Sequence, residues 1–373
     1  MGYNIGNVGA AADVLAQAYD VHLGTVGVLA TALFVTHLIT QIPGGRLVDR
    51  HGARLLGMCA LAIIVLGNLL PLLVESPGAA LAGRLVAGVG TGIGFVAGSD
   101  YVRGTVGTAS AQGLYGAAGV GGGGLAIAIV PLAIPALDWR APYMTALVFA
   151  LAVLVCLPLA PRDRPAREPP REHARVPLLA LVRDRSLYPL AIAHTASFGL
   201  SVIVGIWAVS LLRHDDYGRR LAGAVAALAL LGGLVTRPVG GRLLQRRPNT
   251  AIRLVGASML AGAAGTVLLL LDLPLAVRVA GAALLGLAAG VPFAPALAGA
   301  QVTRPDAPAA AVGFINSCAT LLILVGTPLV GLTFGLPGHG RTGFVAIAVA
   351  WALAYLGVRP PRLAALRRND VTP

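Results

Sequence analysis

The chain has 373 residues, 57% hydrophobic and only 12% charged, with net charge +13 and a mean hydropathy of +0.81. A soluble domain carries about a quarter charged residues, so this length cannot be wrapped into two soluble domains with a wettable exterior. Apolar runs of about 20 residues recur instead, the length that crosses a bilayer.

In chain order, the first stretch, MGYNIGNVGAAADVLAQAY, is an incomplete span over 1–18. It is too short and polar for about 30 Å of hydrocarbon, and the first helix reads as truncated at its N-terminus. Full apolar runs follow near 24–45, 54–74, 78–99, 106–132 and 141–160. After a polar gap come runs near 187–212, 220–243, 251–271, 274–299, 308–334 and 341–358. All 28 basic residues are Arg, and with alternating loops 20 of the 28 fall on one side. Positive charge stays cytoplasmic, so both termini are expected inside a plasma (inner) membrane. The basic charge then reports topology, and nucleic acid is not an expected partner.

One phrase is written twice. TQIPGGRLVDRHGAR begins at Thr40 and TRPVGGRLLQRR at Thr236, 196 residues apart, with Gln41 matched to Arg237 and Asp49 to Gln245. Each copy follows the second span of a half, so the expected fold is an all-α membrane protein of two six-helix halves related by pseudo-two-fold symmetry. Parallel repeats of this kind are a plan of secondary transporters. The expected division is 1–160 for the first half, 161–186 for a basic linker, 187–358 for the second half and 359–373 for a cytoplasmic tail.

GGRLVDRHGAR resembles the signature loop between the second and third helices of the major facilitator superfamily, G-x-L-x-D-R-x-G-R. Gly45, Leu47, Asp49, Arg50, Gly52 and Arg54 match it. RLVAGVGTGIGF, from Arg84, is similar to the family's fourth-helix motif. The resemblance implies a carrier working by alternating access, with Gly45, Asp49, Arg50, Gly52 and Arg54 as a gating loop that latches the cytoplasmic side. Physically, Gly45 and Gly52 would allow a tight turn, and Asp49 would pair with Arg50, Arg54 or a helix N-terminus. Gln245 in the second copy concentrates that latch in the first half. VTRPVGGRLLQRR is also similar to the eighth-helix motif of the nitrate/nitrite and cyanate porter branch, where an Arg binds the anion. The matching second-helix Arg of that branch is Gln41 here, which puts nitrate itself in doubt.

Ionisable groups inside spans are functional candidates. Arg237 is the foremost, because a guanidinium without a carboxylate gains from an anion's countercharge. The alternative for it is snorkelling to the surface. Gln41, Arg84, Tyr3, Asn4, Asn7, Tyr115 and Asn316 are further substrate-contact candidates. Tyr3, Asn4 and Asn7 share a helical face, where a substrate contact and helix–helix bonding are both open. Tyr115 lies in a glycine-rich fifth span whose G-x-G-x-x-G match lacks the strand a nucleotide site needs, so close helix packing is its expected use. His37 and His194 are candidates for a proton relay or for hydrogen-bonded packing. Cys59, Cys156 and Cys318 are isolated, giving no metal or disulfide framework, and no cofactor is expected. The expected function is a secondary carrier of a small anion, such as nitrate, nitrite, cyanate or a small carboxylate, with a coupling ion or counter-substrate. A multidrug or metabolite exporter and a non-transporting sensor or scaffold are the alternatives; an enzyme is not expected.

Overall fold

The computed structural model describes residues 1–162 and 177–358. The greater part of the expected linker, with Arg164, Arg167, Arg171 and Arg175, and the tail from Arg359 lie outside the described residues. Helices dominate, and no strand occurs among the described residues.

A broken opening segment comprises α1 (Tyr3–Gly6), a 3-10 turn at Gly9–Ala11 and α2 (Ala12–Ala18). The long helices follow as α3 (Leu23–His51), α4 (Ala53–Leu73), α5 (Pro77–Thr105), α6 (Ala109–Leu137) and α7 (Ala141–Cys156). Next come α8 (Leu178–Arg183), α9 (Tyr188–His194), α10 (Ser201–His214), α11 (Arg219–Arg246) and α12 (Pro248–Leu270). The series closes with α13 (Leu275–Gly290), α14 (Phe293–Thr303), α15 (Pro308–Leu332) and α16 (Arg341–Gly357). Among the described residues, nine helical stretches are long and apolar enough to cross a membrane. One of them, Ala109–Leu159, contains both α6 and α7, separated by a 3-10 turn at Asp138–Arg140. It therefore supplies the fifth and sixth spans read from the sequence. The protein is a multi-pass integral membrane protein.

The chain divides into two compact units, Met1–Thr105 with Ala118–Arg175, and Val106–Ala117 with Val176–Pro373. The start of α6 thus belongs with the second unit. Glycine explains this locally: a Cβ on Gly113 would stand 2.2 Å from the Arg237 carbonyl oxygen, and one on Gly241 2.1 Å from that of Ala109. Without those methyl groups the backbones of α6 and α11 touch.

The repeated phrase has a repeated packing consequence. In the first unit α3 lies along α5, and a Cβ on Gly92 would fall 2.2 Å from the Thr40 hydroxyl. In the second, α11 lies along α13, and a Cβ on Gly290 would fall 1.8 Å from the Thr236 hydroxyl. Each Thr hydroxyl turns back to the carbonyl four residues earlier, Thr40 to Thr36 at 2.7 Å and Thr236 to Gly232 at 2.9 Å. The same Thr-on-Gly contact seats the same helix pair in both units.

Three details correct the sequence reading. The signature stretch is not a loop around two glycines, because α3 continues through Gly45 to His51 and only Gly52 separates it from α4. Gly52 carries the turn alone, at φ 89°, a conformation glycine adopts at little cost. Gly45 is instead buried within the helix, beside Gly44, whose missing side chain lets Ile93 approach. The tenth span is two helices, α13 and α14, interrupted at Val291–Pro292, since Pro292 has no N–H for the helix ladder. In the seventh span a π-helical stretch, Thr195–Leu200, joins α9 to α10. There the Ser201 hydroxyl donates to the Ser197 carbonyl at 2.6 Å and so takes up a carbonyl of the widened turn, while the Ser197 hydroxyl donates to the Ala289 carbonyl at the end of α13.

Candidate substrate-binding site

Arg84 in the first unit and Arg237 in the second are buried without an acidic partner among the described residues, whereas Arg278, also buried in the second unit, pairs with Asp215. In the second unit α11 carries Arg237 into the interior, where it is 5% exposed. Its Nη1 donates to the Gly116 carbonyl at 2.6 Å, and the guanidinium lies 4.2 Å over the Phe293 ring. Its Nε–H is buried without a hydrogen-bond partner among the described residues. The side chain is therefore turned inward on Phe293 rather than extended along the surface. Phe293 is placed by the helix break just before it, and Gly116 must be glycine because a Cβ there would stand 2.2 Å from the ring.

Phe293 also meets His194, with ring centroids 5.3 Å apart. His194 also stacks on Phe198 at 5.8 Å and bonds through Nε2 to Asn316 Oδ1 at 2.8 Å. With a carboxamide oxygen as acceptor, Nε2 is the protonated nitrogen. Close by in sequence to Gly116, Gln112 Nε2 donates to Gln301 Oε1 at 3.1 Å, joining α6 to α14. Tyr115, on α6, is partly exposed. Arg237, His194 and Asn316 are thus gathered around Phe293.

In the first unit Arg84 is 2% exposed. Its Nε donates to the Leu29 carbonyl at 3.1 Å and its Nη1 to Asn7 Oδ1 at 3.2 Å, while Nη2 is buried without a partner among the described residues. Asn7 in turn donates through Nδ2 to the Pro142 carbonyl at 3.0 Å. Asn4 accepts at 2.8 Å from Asn68, which lies in the last third of α4. Asn4 and Asn7 are thereby bonded to neighbouring helices. Tyr3 is buried, its ring 4.7 Å from that of Phe149. His37 bonds through Nδ1 to the Thr91 hydroxyl at 3.0 Å; because that hydroxyl donates to the Gly88 carbonyl at 3.0 Å, His37 carries its proton on Nδ1. Gln41 is fully buried on the same helix as His37. In the signature stretch Asp49 is half-buried, Arg50 is exposed, and Arg54 donates through Nη2 to the Pro158 carbonyl at the end of the sixth span.

Sequence reasoning did not single out Phe293, Gln112, Gln301, Asn68 or Thr91. A lone amide in an apolar span was a readable signal for Gln112, Asn68 and Gln301. Phe293 carried none beyond its place after Pro292.

Buried cations and amides on membrane-spanning helices are features that membrane carriers use along a solute path. The chain belongs to the major facilitator superfamily, whose family model matches residues 1–327. Among curated proteins it is similar to the facilitated glucose transporter member 12 of Xenopus laevis, 28% identical over 102 residues. That stretch is 27% of this chain and spans 17% of the relative's length. Among solved structures it is similar to the E. coli fucose:proton symporter, with a TM-score of 0.75 at 14% identity, covering 96% of this chain and 95% of that one. It is also similar to the human organic anion transporter, with a TM-score of 0.73 at 18% identity, covering 95% and 90%. At such identities the likeness is one of fold.

Proposed function

We propose that this protein is a secondary transporter that carries a small hydrophilic anion by alternating access, with Arg237 as the anion contact. The observation behind this reading is the Arg237 side chain. It is buried, its hydrogen bond goes to a neutral carbonyl, and its Nε–H has no partner among the described residues. A cation so enclosed is costly, and an anion's countercharge offsets the cost. Nitrate, nitrite, cyanate and small carboxylates are the candidate anions, from the resemblance of the eighth-helix phrase; Gln41 in place of a second Arg favours a single negative charge. Asn316 and Tyr115 are proposed as further substrate contacts on the second unit, and Gln41, Tyr3, Asn4, Asn7 and Arg84 as those on the first. The gating stretch is proposed to be Gly52, the hinge between α3 and α4, with Asp49, Arg50 and Arg54 as its charged latch and Gly45 seating the helix. The Arg distribution supports cytoplasmic termini in an inner membrane.

A second reading, a neutral sugar as cargo, is favoured by the amide-rich contacts Gln112–Gln301 and His194–Asn316, which suit hydroxyl groups. The similarity to a glucose transporter segment and a fucose symporter points the same way.

Thermal unfolding of the purified protein across nitrate, nitrite, cyanate, small carboxylates, hexoses and pentoses tests both, since a ligand for the folded state raises stability by mass action. Uptake into proteoliposomes of whatever stabilises the protein completes the test. An anion that stabilises the parent but not Arg237→Gln supports the first reading. Stabilisation by a neutral sugar alone replaces it with the second, and no uptake of any stabilising solute refutes the transporter assignment.

A further inference from the structure

The turn that leads into the seventh span has a composition that the transport reading does not use. α8 leaves Leu179 51% exposed and Val182 39% exposed, with Leu181 fully buried beneath them and Arg183 exposed at the end. Apolar side chains turned outward beside arginines are what a segment lying in a membrane interface presents. The acid of this turn is already engaged. Asp184 Oδ1 accepts from the Ser186 backbone N–H at 3.0 Å and from the Ser186 hydroxyl, and Oδ2 accepts from Arg304 at 3.4 Å. Arg185 is exposed and makes no ion pair or hydrogen bond with a described residue.

A cleft of about 420 Å³ opens beside it, lined by Arg185, Ser186, Tyr188, Pro189, Ile192 and Gly357. One rim is cationic and hydroxylic. The wall below is the Tyr188 ring with Pro189 and Ile192, and the ring is fixed by a hydrogen bond from its hydroxyl to the Val182 carbonyl at 2.6 Å. The cleft therefore passes from charge to hydrocarbon over the first turns of a membrane span.

We propose that this cleft binds one anionic phospholipid, with the Arg185 guanidinium on the headgroup phosphate and Tyr188, Pro189 and Ile192 against the start of an acyl chain. Three features favour a lipid over a free phosphate. The wall is apolar and offers a free ion no bond, the exposed Leu179 and Val182 place the rim at the membrane surface, and the neighbouring carboxylate is neutralised. A guanidinium is suited to phosphate by its planar fork of donors.

The test uses the purified full chain, delipidated in detergent and then titrated with mixed micelles of phosphatidylglycerol or phosphatidylcholine, reading the unfolding midpoint and the lipid retained in native mass spectra. Phosphatidylglycerol should stabilise the parent and remain bound, and phosphatidylcholine should do so more weakly. Arg185→Gln should weaken the phosphatidylglycerol titration about fivefold, the worth of one arginine at an anionic membrane surface. Arg183→Gln, which changes an arginine outside the cleft, should titrate as the parent. Equal effects of the two lipids, or an Arg185→Gln curve matching the parent, would overturn the proposal. So would inorganic phosphate at millimolar concentration reproducing the Arg185-dependent shift, because the site would then take a soluble anion.

Discussion

Replacing Arg237 by Gln separates a binding role from a structural one, because the two effects have different sizes. The guanidinium makes one charge-assisted hydrogen bond, to the Gly116 carbonyl at 2.6 Å, and one stacking contact, 4.2 Å above Phe293. The bond is worth about 1.5–3 kcal/mol and the stacking about 0.5–2 kcal/mol. Against these stands the desolvation of a buried cation, several kcal/mol by itself. The opposing contributions nearly cancel, so Arg237→Gln should fold with its stability changed by no more than about 2 kcal/mol. Anion affinity has no such compensation. Losing one charged hydrogen bond should weaken it about tenfold to a hundredfold, read as a rise in Kd by calorimetry and as a fall in uptake at low concentration. Arg237→Lys should recover only part, since an ammonium keeps the charge but neither stacks flat on Phe293 nor presents a fork of donors. Parental Kd for every anion tested in Arg237→Gln would refute the assignment. A stability loss well beyond 2 kcal/mol with unchanged anion binding would give Arg237 a purely structural role.

Four further outcomes are expected. Asp49→Asn should weaken closure at the Gly52 turn and bias the carrier towards inward-open, lowering turnover more than affinity; unchanged cysteine accessibility from each side, with normal transport, would dismiss the latch. Gly290→Ala places a methyl group 1.8 Å from the Thr236 hydroxyl and 3.0 Å from the Gly233 Cα, so α11 and α13 must part at a cost of about 1–3 kcal/mol. A lowered Tm, partly restored by adding Thr236→Ala, is the expected reading. Asp215 accepts from the fully buried Arg278 at 2.5 Å and from Arg341 at 2.8 Å. Asp215→Asn should therefore cost about 3 kcal/mol by leaving a buried cation short of countercharge, and an Asp215→Asn, Arg278→Met pair should unfold later than the single variant. Arg304 donates to both carboxylate oxygens of Asp306 at 2.9 and 2.7 Å and holds the Asp306 pKa below its ordinary 3.8. The folded state then binds fewer protons than the unfolded one, so this pair contributes stability above about pH 4 that is lost as pH falls further. With Asp306 half exposed, the contribution is under about 1 kcal/mol, and Asp306→Asn should flatten the acid limb of the Tm–pH curve by no more than that.

Much of the fold was legible because its signals are local. Span length and the twice-written GGRL depend on neighbouring residues, and each span read from the sequence has a helical counterpart. The helix interruptions were less so. Pro292 announced a break that a purely apolar count over 274–299 overran, whereas TASFGL holds no proline and gives no sign of its π-helical turn. Gly45 and Gly52 look alike in a motif, yet only Gly52 has positive φ, because a helix continues until the position where its axis must reverse. The candidate polar residues were identifiable as polar atoms that lipid would not accept; their partners were not. Arg237 bonds to a carbonyl 121 residues away and Asn7 to one 135 residues away. A backbone carbonyl carries no side-chain signature, so sequence can nominate the donor but not its acceptor. This is why Phe293 and Gly116, which give Arg237 its orientation, come only from the three-dimensional arrangement. The same asymmetry bears on the two copies of the repeated phrase. Its shared letters, Thr and the paired glycines, set helix packing that both units need, as the Thr40–Gly92 and Thr236–Gly290 contacts illustrate. The letters that differ, Gln41 against Arg237 and Asp49 against Gln245, take no part in those Thr-on-Gly contacts, and so they are where the two halves can diverge in charge while keeping the same helix pairing.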